Sequence, residues 1–388
     1  MAKNLKRVCI VTTIPQSLYF LHKGLFEYFR KQGWDITGIA ANSSKKNNEI
    51  HKLLEQQNVK MVSMPFIRHP SLLKDLWCLF RLWCFFLFNR FDIVHCSTPK
   101  AMLLGTVAAF FSGHRAKIVT MHGRVYENYT GWKRKAFVAI DNFIYRIANK
   151  VIPVCKELGE SIVKDGCPPS KIVNIGPSNN GVDSEIFTKN NANILEGKKL
   201  REKLNIPQNA LVILSVGRLR EEKGINELVA AFKELSAQQP IHLVLLGPRE
   251  THLNPLTSET EKEIESNPNI HYPGKSNNTV PWYAMADIVA FPTYREGFGN
   301  ISIEASAMEL PIVGSNIMGL REGIIDGKTG ILVPVKSIKL LAHALQKLID
   351  HPELRKQMGI AGRQMAVTKF NPQKIWDKIL ELDNNLSK

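Results

Sequence analysis

Short apolar runs alternate with segments of helical spacing along most of the chain. Such runs, bounded by turn residues and rich in β-branched side chains, are typical of buried parallel strands. The predicted strands cover 8–11, 33–40, 60–64, 91–96, 117–121, 150–154, 211–217, 241–247, 270–272 and 288–292. The predicted helices include 46–57, 132–148, 196–204, 301–308 and one that ends near residue 32 after a loop at 12–18. This alternation predicts an α/β fold built on doubly wound parallel sheets.

The strand pattern begins twice, which indicates two domains. A chain of 388 residues is longer than one ordinary hydrophobic core supports. A turn-rich stretch at 175–183 precedes the second set of strands. We therefore predict an N-terminal domain at 1–182, a C-terminal domain at 183–370 and an amphipathic helix within 371–388.

The loop at 293–300 has the features of an anion-binding site. It follows the strand at 288–292 and precedes the helix at 301–308, so free backbone N–H groups at the start of that helix face whatever lies in the loop. Gly297 and Gly299 lack a Cβ atom and allow close approach of a ligand. Two carboxylates lie on either side of the glycines: Glu296 before them, and Glu304 in the helix that follows. Because a carboxylate repels a phosphate, we expect both to accept hydrogen bonds from sugar hydroxyls instead.

A second loop, at 217–224, carries two cations. It follows the strand at 211–217 and is predicted to open a helix. Arg218 suits bidentate contact with phosphate, whereas Lys223 acts as a point charge. Together they could neutralise a diphosphate. The alternative is an ordinary solvated helix start.

These segments resemble one enzyme family. The sequence EGFGNISIE, from Glu296 to Glu304, resembles the E-x7-E signature of retaining glycosyltransferases with the two-domain GT-B fold, family 4 in particular. The loop at 217–224 matches the family's G-R-x(4)-K-G element. The resemblance extends over nearly the whole chain, and implies two Rossmann-like domains facing a cleft. Further family-like segments lie at 305–311, 319–322 and 326–334.

The resemblance also implies roles for the donor site. Arg218 and Lys223 would hold the phosphates of a nucleotide sugar. Glu296 would contact hydroxyls of the transferred sugar, and Glu304 would accept hydrogen bonds from the ribose. Since the two cations would replace a metal ion, no metal or other cofactor is expected. The donor-binding set is Arg218, Lys223, Glu296, Gly297, Phe298, Gly299, Asn300, Ile301 and Glu304.

Further roles follow from the same resemblance. The backbone N–H groups of Ile301 and Ser302 would face the β-phosphate. His122, which follows the strand at 117–121, would contact the donor sugar and position it. The helix within 371–388 would cross back to the first domain. The catalytic candidates are Glu296, His122, Arg218 and Lys223.

The acceptor side departs from the family pattern. The paired glycines often found in the first strand–helix loop are replaced here by residues 13–18, which contain no glycine. Acceptor contacts are therefore less well defined, and the candidates are Gln16, Ser17 and Arg124.

Charge is unevenly distributed along the chain. The net charge is +16, and residues 1–185 hold 26 Lys and Arg against 13 Asp and Glu. A basic half could meet nucleic acid, an anionic membrane surface or a diphosphate-bearing substrate, but no nucleic-acid motif is visible. The six cysteines form no C-x-x-C pair, which fits a reduced cytoplasmic setting.

The segment at 76–88 is apolar on nearly all sides and rich in aromatic residues. It is too short to span a bilayer, and we find no signal peptide or membrane-spanning run. One interpretation is a buried helix of the first domain. The other is a helix whose aromatic edge enters the membrane interface, helped by the basic residues at 133–135.

Together with the charge pattern, the resemblance implies a retaining, metal-independent glycosyltransferase that moves a hexose or N-acetylhexosamine. The expected donor is a nucleotide-diphosphate sugar, UDP-linked by preference. The expected acceptor is a polyprenyl-diphosphate-linked saccharide in surface polysaccharide or glycan synthesis, at the cytoplasmic face of the membrane. The alternatives are a catalytically silent adaptor of the same fold that binds membrane or a partner, and a GT-B sugar-nucleotide epimerase.

Overall fold

Two parallel sheets of six strands each form the framework of the described chain. The computed structural model describes residues 5–42, 44–127, 129–176, 180–237, 240–250 and 254–387. These residues divide into two compact units, Met1–Asn180 with Pro372–Lys388, and Gly181–Asn371. Part of the turn-rich stretch predicted at the domain boundary, residues 177–179, lies outside the described residues.

The first sheet lies in the N-terminal unit. Its strands are β1 (Lys6–Val11), β2 (Trp34–Ala40), β3 (Lys60–Ser63), β4 (Ile93–Ser97), β5 (Ala116–Met121) and β6 (Lys150–Pro153), in the order β3-β2-β1-β4-β5-β6. Its helices are α1 (Pro15–Leu21), α2 (Leu25–Lys31), α3 (Lys45–Gln56), α4 (Leu72–Phe88), α5 (Pro99–Phe111), α6 (Gly131–Ile147) and α7 (Lys156–Lys164).

The second sheet repeats this topology. Its strands are β7 (Leu211–Val216), β8 (Ile241–Leu246), β9 (Ile270–Gly274), β10 (Ile288–Phe291), β11 (Ile312–Ser315) and β12 (Gly330–Val333), in the order β12-β11-β10-β7-β8-β9. Its helices are α8 (Asn191–Lys203), α9 (Ile225–Ser236), α10 (Ser258–Ser266), α11 (Val280–Met285), α12 (Asn300–Ala307), α13 (Ile338–Asp350) and α14 (Pro352–Lys369). The predicted α/β class with doubly wound parallel sheets is confirmed.

A final helix, α15 (Pro372–Leu386), packs in the N-terminal unit. Ile375 and Ile379 join a core cluster that contains Phe26 and Phe29 of α2. The side chain of Lys6 donates a 2.7 Å hydrogen bond to Asn384 Oδ1.

The prediction of one helix ending near residue 32 is wrong. Helix α1 already begins at Pro15, and it is separated from α2 by a break at Gly24, where φ is +83°. A Cβ atom on Gly24 would lie 2.5 Å from the ring of Trp376 in α15. Trp376 therefore packs directly against the turn between the two helices.

Helix α4 is buried on only one face. Cys78, Leu82 and Phe86 are buried in the N-terminal unit, whereas Trp77 and Phe80 are 53% and 49% exposed. The segment at 76–88 is thus part of a helix of the first domain with one face buried, while its aromatic face is exposed. None of the helices in the described part of the chain combines the length and the apolar character needed to cross a bilayer.

Candidate functional site

The C-terminal unit has a topological switch point between β7 and β10. The chain leaves β7 toward β8 and β9 on one side, then returns to build β10, β11 and β12 on the other. Because neighbouring parallel strands end at the same edge of a sheet, the loops after β7 and β10 begin next to each other. From there the chain turns toward β8 after β7 and toward β11 after β10. Ligands of open α/β sheets bind in the crevice that such loops leave. Both predicted donor loops, 217–224 and 293–300, lie there.

The loop after β7 is short and turns sharply. Gly217, at φ +148°, donates its N–H to Leu246 O at 2.9 Å. A single 3₁₀ turn at Glu221–Lys223 follows, and Gly224, at φ +69°, precedes α9. The predicted helix therefore begins only after Gly224, which leaves Arg218 and Lys223 in the loop.

The loop after β10 is fastened to the loop after β7. Tyr294 donates its N–H to Glu222 O at 2.9 Å, and the Thr293 hydroxyl lies 3.3 Å from the same carbonyl. A Cβ atom on Gly224 would lie 2.1 Å from Pro292 O, so the backbones meet where only glycine fits. The two predicted motifs thus form one substructure.

Lys223 and Glu296 form an ion pair across these loops. Their side chains are only 16% and 17% exposed, so both charges are largely removed from solvent. Thr293 Oγ1 donates a 3.2 Å hydrogen bond to Glu296 Oε1. The structure therefore joins the predicted phosphate-binding cation to the predicted sugar-binding carboxylate.

The start of α12 lies beside this ion pair. Ser302 donates its N–H to Gly299 O at 2.8 Å and its hydroxyl to the same oxygen at 2.6 Å. The expectation that the Ser302 N–H faces a phosphate is wrong, because Gly299 O already accepts it. A Cβ atom on Gly319 would lie 2.5 Å from Glu296 O, and Gly319 O accepts the N–H of Gly299 at 3.1 Å. The family-like segment at 319–322 therefore supports the loop from behind.

Glu304 is held by a tyrosine that carries no sequence motif. The hydroxyl of Tyr283, in α11, donates a 2.8 Å hydrogen bond to Glu304 Oε2. Burial of Tyr283, together with the nearby Glu304 charge, raises the pKa of its hydroxyl well above the ordinary value. Tyr283 thus stays protonated and acts as the donor, which fixes Glu304 as a half-buried acceptor near the first turn of α12.

Arg218 lies within a group of four charges. It is 38% exposed and is 3.6 Å from both Glu222 Oε1 and Glu250 Oε2. Arg220, only 8% exposed, contacts the same two oxygens at 3.0 and 3.4 Å. Three members of this group, Arg220, Glu222 and Glu250, were not predicted from the sequence. Arg220 and Glu222 lie inside the recognised loop, whereas Glu250 follows the neighbouring strand β8.

His122 lies in the N-terminal unit, directly after β5. It is half-buried, and burial with the neighbouring His22 lowers its pKa to about 3. His95, on β4, has its pKa lowered to about 3 by burial and its histidine neighbours, and its Nε2 is 2.6 Å from Thr120 Oγ1. All of these rings are neutral near pH 7, and that suits His122 to positioning a ligand by hydrogen bonds.

Two of the three acceptor candidates, Gln16 and Arg124, already make side-chain contacts within the N-terminal unit. Gln16 and Ser17 lie on α1, after β1 and next to the β1–β4 switch point of this sheet. Gln16 donates a 3.0 Å hydrogen bond to Asn47 Oδ1. Arg124 is buried and binds the side chains of Asp165 and Ser161. These contacts attach the loop after β5 to α7 and the residue that follows it, and the acceptor role of all three residues stays a prediction.

No group of three or more His, Cys, Asp or Glu side chains is arranged to hold a metal ion among the residues that the structure describes.

Comparison with known proteins identifies both halves of the chain. Residues 23–185 match the family described as Glycosyltransferase Family 4, and residues 197–365 match Glycosyl transferases group 1. The capsular polysaccharide biosynthesis glycosyltransferase CapM of Staphylococcus aureus is 29% identical over 99% of this chain and 98% of its own length.

Solved structures share the whole fold. A glycosyltransferase from Rickettsia africae superposes with a TM-score of 0.83 at 20% identity, with full coverage of both chains. Anabaena HepE, crystallised in complex with UDP, superposes with a TM-score of 0.80 at 18% identity, covering 98% of this chain and all of its own. The two family matches show that the chain belongs to the family 4 glycosyltransferases, and the solved structures share its GT-B fold.

Proposed function

We propose that this glycosyltransferase transfers a hexose or N-acetylhexosamine from a UDP-sugar, with retention of configuration, to a lipid-linked saccharide during surface polysaccharide synthesis. The observation that carries the proposal is the site at the β7–β10 switch point. There the ion pair of Lys223 and Glu296, the exposed Arg218 and the tyrosine-bound Glu304 are gathered at one sheet edge.

Each group at this site has a distinct task. Arg218, Lys223 and the first turn of α12 bind the diphosphate, because cations and helix N-termini both favour negative charge. Glu296 accepts hydrogen bonds from the transferred sugar, and Glu304 accepts them from the ribose.

The reaction breaks the bond between the sugar C1 and the β-phosphate oxygen and forms a bond from C1 to the acceptor oxygen on the same face. The acceptor proton passes to the departing phosphate oxygen, so no protein nucleophile takes part. Stabilising the negative charge that develops on the diphosphate is then the largest catalytic contribution, and Arg218 and Lys223 provide it without a metal ion. Neutral His122 orients the donor sugar.

Two comparisons support the choice of substrates. The name of CapM places that relative in capsular polysaccharide biosynthesis, and HepE was crystallised with UDP. The basic first half of the chain suits an acceptor that carries a diphosphate at a membrane.

An exposed apolar surface supports action at a membrane. Helices α4 and α5 pack side by side, and an apolar groove of about 360 Å³ lies open to solvent between them. Cations flank the exposed aromatic face of α4, at Lys74, Arg81 and Arg90. We propose that this surface enters the interface of an anionic bilayer at its cytoplasmic face. The groove is lined by Leu76, Leu79, Phe80, Trp83, Val107, Ala108 and Phe111.

Nucleotide binding is the first test of the site. UDP at about 100 times its Kd should raise the free energy of unfolding by about 2.7 kcal/mol, whereas GDP and ADP should have smaller effects. Lys223→Ala should abolish this stabilisation, because it removes a diphosphate ligand and leaves Glu296 unpaired. Thermal unfolding of both proteins with each nucleotide measures the difference.

The control for this experiment is Lys339→Ala, which removes an exposed cation from α13 and should keep the full response. Stabilisation by GDP or ADP alone would correct the donor. Stabilisation by none of the three would contradict the proposed site and favour the silent adaptor.

The ribose contact can be tested with a modified ligand. Glu304→Ala should weaken UDP binding about 10- to 100-fold, because a hydrogen bond to a charged group contributes about 1.5–3 kcal/mol. The diphosphate of 2′,3′-dideoxyuridine lacks the ribose hydroxyls and should bind the wild type and the variant equally. Calorimetric titration gives all four affinities.

Tyr283→Phe is the matched control, because it removes only the hydrogen bond to Glu304 and keeps the carboxylate. It should retain most of the affinity for UDP. An equal loss of UDP and dideoxy-UDP binding in Glu304→Ala would contradict the ribose role.

Membrane association is tested with vesicles. The protein should co-sediment with vesicles that contain an anionic lipid, and binding should fall as salt rises from 50 to 500 mM, roughly a threefold change in screening length. Trp77→Ser with Phe80→Ser should reduce binding, whereas Leu195→Ser, which changes an exposed apolar residue of the C-terminal unit, should not. Absence of binding at every salt concentration would contradict the proposal.

A further inference from the structure

The charges around the predicted diphosphate site cancel in this structure. Arg218 and Arg220 face Glu222 and Glu250, two charges of each sign. Lys223 is likewise paired with Glu296. A diphosphate that reaches this site therefore meets cations that already have carboxylate partners, and binding requires an exchange of partners.

Arg220 and Arg218 differ in what they can offer a ligand. Both contact the same two carboxylate oxygens, but the Arg220 side chain is 8% exposed and the Arg218 side chain is 38% exposed. Arg220 also has the shorter contacts, 3.0 and 3.4 Å against 3.6 Å for Arg218. Arg218 can therefore turn to a ligand while Arg220 keeps the carboxylates.

Glu250 is held in place by the backbone. Leu219 donates its N–H to Pro248 O at 2.9 Å, and Glu250 donates its N–H to Leu219 O at 3.4 Å. These bonds join the loop after β8 to the loop after β7. The backbone of Glu250 is thus fixed beside the loop after β7, although Glu250 follows another strand.

We propose that Arg220 and Glu250 form a built-in counter-ion pair that sets the affinity of the site for a diphosphate. In the ligand-free protein Glu222 and Glu250 neutralise Arg218. When the diphosphate binds Arg218, Arg220 retains both carboxylates and prevents them from repelling the ligand. Arg220 is then a positioning residue and Glu250 an affinity-limiting one. This inference depends on the proposed function, because it takes Arg218 as a diphosphate ligand.

The proposal predicts effects of opposite sign at two neighbouring residues. Glu250→Gln removes a competing charge and should tighten UDP binding about 3- to 10-fold. Arg220→Met leaves two carboxylates with Arg218 alone and should weaken binding about 10-fold or more. Calorimetric titration at low and high salt measures both, and the difference between variants should shrink at high salt.

The double variant separates positioning from mere structural support. Combining Arg220→Met with Glu250→Gln should return the Kd to within about threefold of the wild type, a larger gain in affinity than Glu250→Gln gives on its own, because the charges of Arg218 and Glu222 then cancel. If Arg220 only supported the fold, the second substitution would add no more affinity than it adds to the wild type. Arg249→Met is the matched control from the same loop, since Arg249 pairs with Glu261 and Glu265 instead, and it should leave the Kd unchanged.

The outcomes distinguish this inference from the proposed function. Tight UDP binding by the wild type, lost in Arg218→Ala, with additive effects at Arg220 and Glu250, would overturn the inference alone. Absence of UDP binding by the wild type would overturn both. If Arg220→Met does not fold, unchanged or weaker UDP binding by Glu250→Gln is sufficient to overturn the inference.

Discussion

The close approach of two backbone loops is the constraint on which the donor site depends. Gly224 lies against Pro292, and a Cβ atom there would be 2.1 Å from the proline carbonyl oxygen. Because no side chain separates the loops, Lys223 from one reaches Glu296 from the other. The backbone bond from Tyr294 to Glu222 O fixes their relative position. A larger residue at 224 would separate the loops and, with them, Lys223 and Glu296, which we propose bind the phosphates and the sugar of the donor.

Charge cancellation gives this site its second property. Each cation predicted to bind phosphate has an acid beside it: Glu296 for Lys223, and both Glu222 and Glu250 for Arg218. The ion pair with Glu296 lowers the free-energy cost of removing the Lys223 charge from water. A diphosphate bound here would compete with resident carboxylates, so we infer that the position of these acids also affects affinity.

The sequence predicted local features well and contacts between distant segments poorly. Strands such as β7 and β10 are continuous apolar runs, and the loops after them contain recognisable glycine and charge patterns. Tyr283 and Glu250 were missed because they reach the site only through helix packing and strand adjacency. The break at Gly24 was also missed, although a glycine inside a helical pattern can mark one. Helix α5 is apolar on all sides, so its sequence has no helical period to detect.

The central claim is that the β7–β10 switch point of the C-terminal unit binds the diphosphate of the donor. A crystal structure of the protein with UDP tests it most directly. The account predicts the diphosphate between the loop at 217–224 and the first turn of α12, with Arg218 turned to the phosphates and the ribose at Glu304. A diphosphate bound elsewhere, or at this loop with Arg218 still held by Glu222 and Glu250, would contradict it.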